Sequence, residues 1–226
     1  SGLCLVGVIG VVRWLGSELN PIQAAFIRYA LSLLLVFPIF LKLGIIGIRS
    51  SRVGLLAGRG AVHGIAFMLW FFAMTRIPVA EVTALTFTSS IFTIIGAIWF
   101  LKEPLHRHRI IAVLAGLGGA TVILRPGFQV IDIGALAVLV AAILFSCSSL
   151  MAKHLTKTES NTTIIAFLSL FATLVLLPFA LVVWRTPSGL ELFWLFITAV
   201  FATSAHYSMN RAFKVADITA LQPVMF

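Results

Sequence analysis

Apolar residues in this chain gather into long unbroken runs rather than alternating with polar ones. Ile133–Ala152 is 20 residues without a charge, Ile164–Trp184 is 21 and Leu192–Asn210 is 19. A helix rises about 1.5 Å per residue, so roughly 20 residues cross the ~30 Å hydrocarbon layer of a membrane. The first half carries similar runs with polar residues inside them: Arg28 in Ile22–Leu41, Arg59 and His63 in Val53–Met74, and Glu81 in Val79–Leu101. Ile110–Leu124 is shorter and uncharged. Runs that are apolar all round suit helices, which satisfy their own backbone. Strands of a membrane barrel would instead alternate over segments of about ten residues. The pattern predicts an all-α polytopic membrane helix bundle with spans at 1–17, 22–42, 53–74, 79–101, 108–125, 133–153, 162–184, 191–211 and 215–226. The terminal runs, Gly2–Val12 and Ile218–Phe226, are too short to span alone. Since the chain starts with Ser and stops inside an apolar run, a fragment cut within its first and last spans is expected. No basic n-region or small-residue cleavage site marks the N-terminus as a signal peptide.

Composition agrees that lipid is a principal partner. The chain is 61% hydrophobic and 10% charged, with a mean hydropathy of +1.12, against about 45–50% apolar and about 25% charged in soluble domains. The formal charge of +9 is scattered over span ends, which argues against nucleic acid. Cys4 and Cys147 lie in apolar runs without metal-ligand spacing and read as small packing residues.

Charge also sets orientation. Alternating the spans across the membrane collects 11 Lys and Arg residues on one side and five on the other. The positive-inside rule makes the richer side cytoplasmic. Against that frame, "VAEVTAL" at 79–85 opens the fourth span and "VADITAL" at 215–221 opens the ninth, 136 residues on. An odd number of spans separates them, so the two copies enter from opposite faces. This is the mark of an inverted-topology repeat, a device of secondary transporters.

The stretch "RIPVAEVTALTFTSSIFTIIGAIWFLKEPLHRHRIIAVLAGLGGATVILRPG", residues 76–127, resembles the EamA family of the drug/metabolite transporter superfamily. The resemblance rests on Lys102-Glu103 at the turn, on Ala112 and Gly119, and on Arg125-Pro126-Gly127. "NPIQAAFIRYAL" is similar to the family's second span, with Arg28 matching its arginine, and "AFKVADITALQPVMF" to its ninth, with Pro223 matching its proline. The resemblance implies two five-span repeats, here 1–127 and 128–226, and both termini in the cytoplasm. The fourth span of the family often has a proline where this chain has Ser89-Ser90. Ser90 therefore either lines a cavity or alters the local bend.

A transporter needs polar side chains facing an interior, because an Arg or Asp at a helix centre costs roughly 2.5–3.5 kcal/mol in lipid. In the third span Arg59, His63 and Trp70 share one helical face; in the eighth, Thr203, His206, Tyr207 and Asn210 do. The 136-residue offset pairs Trp70 with His206, predicting that the two face each other. Thr86, Ser89 and Ser90 in the fourth span, with Ser146 and Ser149 in the sixth, are further candidates for the path, or plain helix glue. The candidate substrate cavity is thus His63, Trp70, Thr86, Ser90, Ser146, His206, Tyr207 and Asn210. The plainer alternative is interhelical contact. Glu81 and Asp217 are candidates for proton coupling or gating, with stabilisation at a helix N-terminus as the simpler role. Arg28 reads as a structural anchor, and Arg59 as a cavity residue or a snorkelling one. Glu103 reads as a structural latch between the fourth and fifth spans, paired with Arg107 and Arg109. Gly54–Gly58, Gly60–Gly64 and Ala112–Gly116–Ala120 have the spacing for close packing, within the bundle or in a homodimer.

No phosphate-binding loop, nucleophile elbow or metal-ligand spacing is present, and no cofactor is expected. The expected function is secondary transport of a small metabolite or drug across a bacterial inner membrane by alternating access through a central cavity. The competing classes are a membrane-embedded enzyme and a non-transporting scaffold. An enzyme needs a titratable cluster at one depth, and a scaffold needs no polar interior face.

Overall fold

The helices begin where the sequence supplies caps. Asn20 Oδ1 accepts from the Ile22 N–H at 3.0 Å, just ahead of Pro21. Asp132 accepts from Gly134 N–H at 2.6 Å, Ser160 from Thr163 N–H at 3.1 Å, and Ser188 with Glu191 forms a reciprocal capping box. The structure, a computed structural model, describes residues 19–43, 50, 52–103 and 132–225, with scattered positions between 107 and 118. Its elements are α1 (Pro21–Leu43), α2 (Val53–Met74), α3 (Val79–Thr86), α4 (Ser89–Gly96) running into a π-helical turn (Ala97–Leu101), α5 (Ile133–Leu155), α6 (Asn161–Val182), α7 (Gly189–Val215) and α8 (Ile218–Met225). There is no strand among the described residues.

Six stretches are long and apolar enough to cross a membrane, with α3, α4 and the π turn together forming one of them, Val79–Leu101. The expected first span lies outside the described residues, and only scattered positions of the fifth are described. α2 is central, packed between α5 and α6; α1 lies on α6 and α7, while α8 lies on α4 and α7. The buried core is mostly apolar but encloses large polar side chains. Arg59 and Tyr29 lead the largest fully buried side chains, whereas Trp99, Phe100 and Val182 are 77%, 79% and 85% exposed. Lipid as the outer solvent explains both facts.

Two local features shape the centre. The fourth span breaks at Phe87-Thr88 although it holds no proline there. Thr83, Thr86 and Thr88 turn their hydroxyls back onto the carbonyls of Val79, Val82 and Leu85, and Phe87 N–H is shared between Thr83 and Ala84. Such back-bonding competes with the regular helical ladder and tightens the turn. Gly60 and Gly64 let α2 and α6 close up: a Cβ on Gly60 would sit 2.5 Å from Phe171 Cβ, and one on Gly64 would sit 3.3 Å from Ala172 Cα. This pair of glycines therefore serves packing inside the bundle, whereas nothing lies within 4 Å of a Cβ at Gly54 or Gly58. The Ala112–Gly116–Ala120 stretch lies outside the described residues except at isolated neighbours.

Candidate functional site

His63 is the hub of a polar and aromatic cluster where α1, α2, α5 and α7 meet. Its ring lies 6.2 Å from Tyr29 (α1), 5.4 Å from Phe67 (α2), 5.3 Å from Phe145 (α5) and 5.4 Å from His206 (α7), centroid to centroid. Its Nδ1 is hydrogen-bonded to Ser148 Oγ at 3.2 Å. Four-residue spacing along α2 stacks Arg59, His63 and Phe67 on the face that meets these neighbours.

Two arginines enter this cluster from different helices. The Arg28 guanidinium sits 3.8 Å from the Tyr29 ring centroid and 4.7 Å from that of Phe67, a cation–π arrangement. Arg28 is 4% exposed and Arg59 1%. Arg59 Nη1 donates to the Ile164 carbonyl of α6 at 3.2 Å, so it turns inward rather than snorkelling out.

Many polar atoms here find no protein partner. Arg28 Nε and Nη2, Arg59 Nε, His63 Nε2, the Tyr29 hydroxyl, Thr203 Oγ1 and both amide atoms of Asn210 are buried without a hydrogen bond among the described residues. A buried polar group usually has a partner, and leaving one unmet costs about 1–3 kcal/mol.

The expected cavity residues do not all converge. His63 and His206 meet directly, and Asn210 and Thr203 lie along the same side of α7. Trp70 does not stack on His206; its indole N–H donates to Thr86 Oγ1 at 3.0 Å, which ties α2 to α3. Ser146 lies 3.1 Å from the Thr93 hydroxyl in an α4–α5 contact. Ser90 is half-buried. Tyr207 is 44% exposed, because it lies about 100° round the helix from His206. Arg28, expected as a structural anchor, lies in the cluster, packed on the Tyr29 and Phe67 rings. Tyr29, Phe67, Phe145 and Ser148 were not singled out by the sequence. Phe67 and Tyr29 had a signal, being one turn from His63 and adjacent to Arg28.

Both ends of the bundle are pinned. At the Lys- and Arg-rich end, Glu103 accepts from Ile218 N–H at 3.0 Å, Thr219 N–H at 3.1 Å and Thr219 Oγ1 at 2.8 Å. The expected latch from Glu103 to the fifth span is thus corrected: its carboxylate holds the first turn of α8, whose exposed N–H groups and helix dipole attract an anion. Arg107 is exposed and Arg109 lies outside the described residues. Lys153 Nζ donates to the Phe213 and Ala216 carbonyls, 2.6 Å each, at the end of α7. Asp217 is half-buried beside these groups, just before α8. At the other end Gln23 donates to the Arg185 carbonyl at 2.5 Å and accepts from its N–H at 3.0 Å, and Arg185 pairs with Glu191. Glu81 is half-buried in the first turn of α3, while Arg76 lies 5.3 Å from the Phe72 ring. Among the described residues no group of three His, Cys, Asp or Glu side chains is arranged to hold a metal.

The chain matches the EamA-like transporter family over residues 1–125 and 132–226. It is similar to a riboflavin transporter of Vibrio cholerae serotype O1, 33% identical, the match covering 99% of this chain and 76% of the relative. A riboflavin transporter of Brucella anthropi is 29% identical over 93% of this chain and 77% of its own length. An S-adenosylmethionine uptake transporter of Rickettsia prowazekii is 27% identical over 95% of this chain and 73% of its own. One solved crystal structure shares the fold with a TM-score of 0.77 at 17% identity, covering 98% of this chain and 80% of that one. A bundle of membrane-length helices around a buried polar centre, matched along nearly its whole length to carriers, is an integral membrane transporter, and the chain belongs to the EamA-like transporter family.

Proposed function

We propose that this chain is a secondary transporter that moves a small ring-bearing metabolite or drug across the bacterial inner membrane by alternating access. The cavity lies between two inverted repeats, residues 1–127 and 128–226, within a scaffold of nine spans. The observation that carries this reading is the cluster of buried, unmet polar atoms around His63, well inside helices whose outer faces are apolar. A scaffold has no use for such a centre. The relatives named for riboflavin and S-adenosylmethionine support a solute with planar rings, which suits walls made of Tyr29, Phe67, Phe145 and His63.

Two further features support inversion. The first copy of the repeated phrase opens α3 at Val79, and the second runs from the end of α7 at Val215 into the start of α8 at Ile218. Ile77, just before α3, packs with Val138 near the start of α5, whereas Ile218 is held by Glu103 at the other end of the fourth span. Pins at the two ends of the bundle suit gates that open in turn, with Glu81, in the first turn of α3, and Asp217, just before α8, as gating residues.

Proteoliposomes containing the full-length protein test the reading. Solutes are chosen by comparing metabolites in cells with and without the gene. His206→Ala and Asn210→Ala are expected to reduce flux at least tenfold while the protein remains monodisperse. Unchanged flux in both variants refutes the proposed cavity, and absence of any flux refutes transport.

A further inference from the structure

Among the described residues no acid lies at the centre to balance the two guanidinium groups. The chain has seven Asp and Glu residues, and the six described ones all lie at helix ends or connections. Asp132 caps α5, Glu191 opens α7, Glu81 opens α3, and Glu103 holds α8. Glu159 accepts from Ser50 at 2.6 Å, and Asp217 precedes α8. Arg28 lies seven residues into α1, about 10 Å from its start at ~1.5 Å per residue. A buried cation at that depth is expected to have a counter-charge.

The unmet atoms of Arg28 specify what would supply it. Nε and Nη2 are both buried without a partner, and these two form one edge of the planar guanidinium. That edge donates two parallel N–H bonds and matches the two oxygens of a carboxylate or phosphate. The face of the same guanidinium is covered by Tyr29 and Phe67, so the edge rather than the face is left to a ligand. Those two rings belong to one contacting cluster with His63 and Phe145, at centroid distances of 5.3–6.2 Å.

We infer that the transported solute is an oxyanion, its carboxylate or phosphate seated on the Nε–Nη2 edge of Arg28. This inference rests on the transport reading and narrows it to one charge class. Arg59, buried on the neighbouring helix, adds positive potential.

Matched pairs that differ only in charge test this. The full-length protein in phosphatidylcholine nanodiscs is titrated with indole-3-acetate against indole-3-acetamide and with nicotinate against nicotinamide, reading thermal stabilisation. The acid of at least one pair is expected to act at a concentration at least tenfold below its amide. Arg28→Gln abolishes that ratio, while Arg28→Lys keeps part of it as a point charge without the fork. Equal potency of acids and amides, no response to any acid, or a ratio that survives Arg28→Gln overturns the inference. An anionic lipid headgroup offers the same chemistry. If phosphatidylglycerol added to the discs displaces the acids competitively, the edge is a lipid site and the solute assignment falls. Flux of neutral or cationic solutes in the proteoliposome assay, independent of Arg28, overturns the charge assignment while leaving transport intact.

Discussion

Removing the Glu103 carboxylate is expected to release α8. In Glu103→Ala the Ile218 and Thr219 N–H groups and the Thr219 hydroxyl lose acceptors at 3.0, 3.1 and 2.8 Å. Each bond is worth about 0.5–1.5 kcal/mol net, and those to a charged partner about 1.5–3. The carboxylate also complements the helix N-terminus by about 0.3–1 kcal/mol. Allowing for water reaching this end of the bundle, the docked state loses about 3 kcal/mol. At about 1.4 kcal/mol per tenfold, that shifts the docked–undocked equilibrium of α8 roughly 100-fold. Glu103→Gln keeps one acceptor oxygen and should lose about half as much, roughly a tenfold shift. Hydrogen–deuterium exchange of a peptide covering 213–221 reads this directly, with α6 as an internal reference. Faster exchange graded Ala over Gln over wild type is the expected outcome. Wild-type exchange in Glu103→Ala refutes the assignment of Glu103 as the element holding α8.

Two other consequences are as direct. Gly60→Ala drives a Cβ to 2.5 Å from Phe171 Cβ, so α2 and α6 must part, costing about 1–3 kcal/mol; Gly58→Ala, with nothing within 4 Å, should be neutral or stabilising by up to about 1 kcal/mol. Opposite shifts in melting temperature are expected, and equal shifts would show that the α2–α6 approach does not depend on Gly60. Gln23→Ala removes two bonds to the Arg185 main chain, about 2 kcal/mol by the usual worth of such contacts, and should speed tryptic cleavage at Arg185; an unchanged rate would show that this connection is held by something else.

The spans were legible because an apolar run answers to membrane thickness alone. α2 begins and ends at the predicted boundaries, and α5 and α6 fall within two residues of theirs. α7 runs past its predicted end to Val215 because Lys153 caps its last carbonyls from another helix. That contact is invisible in one dimension. At the site, histidines stood out because they are rare in apolar runs, so His63 and His206 were found. Phe67 and Phe145 stayed hidden among 19 phenylalanines, since nothing local separates a ring facing the interior from one facing lipid. Ser146, Ser148 and Ser149 illustrate the same limit. Only packing shows that Ser148 reaches His63 while Ser146 faces Thr93. For Glu103, neighbours in sequence suggested a partner, but the carboxylate went to main-chain donors 115 and 116 residues away.

The contact between Gln23 and Arg185 uses the peptide group of residue 185 and ignores its side chain. As far as this contact goes, position 185 needs only its N–H and C=O, which bars proline; what asks for arginine there is the separate ion pair with Glu191. Position 23 has no such freedom: glutamate would offer no donor and lysine no acceptor. Among descendants of this chain, then, the two sites should age differently, with the amide fixed and residue 185 free to change only in step with Glu191.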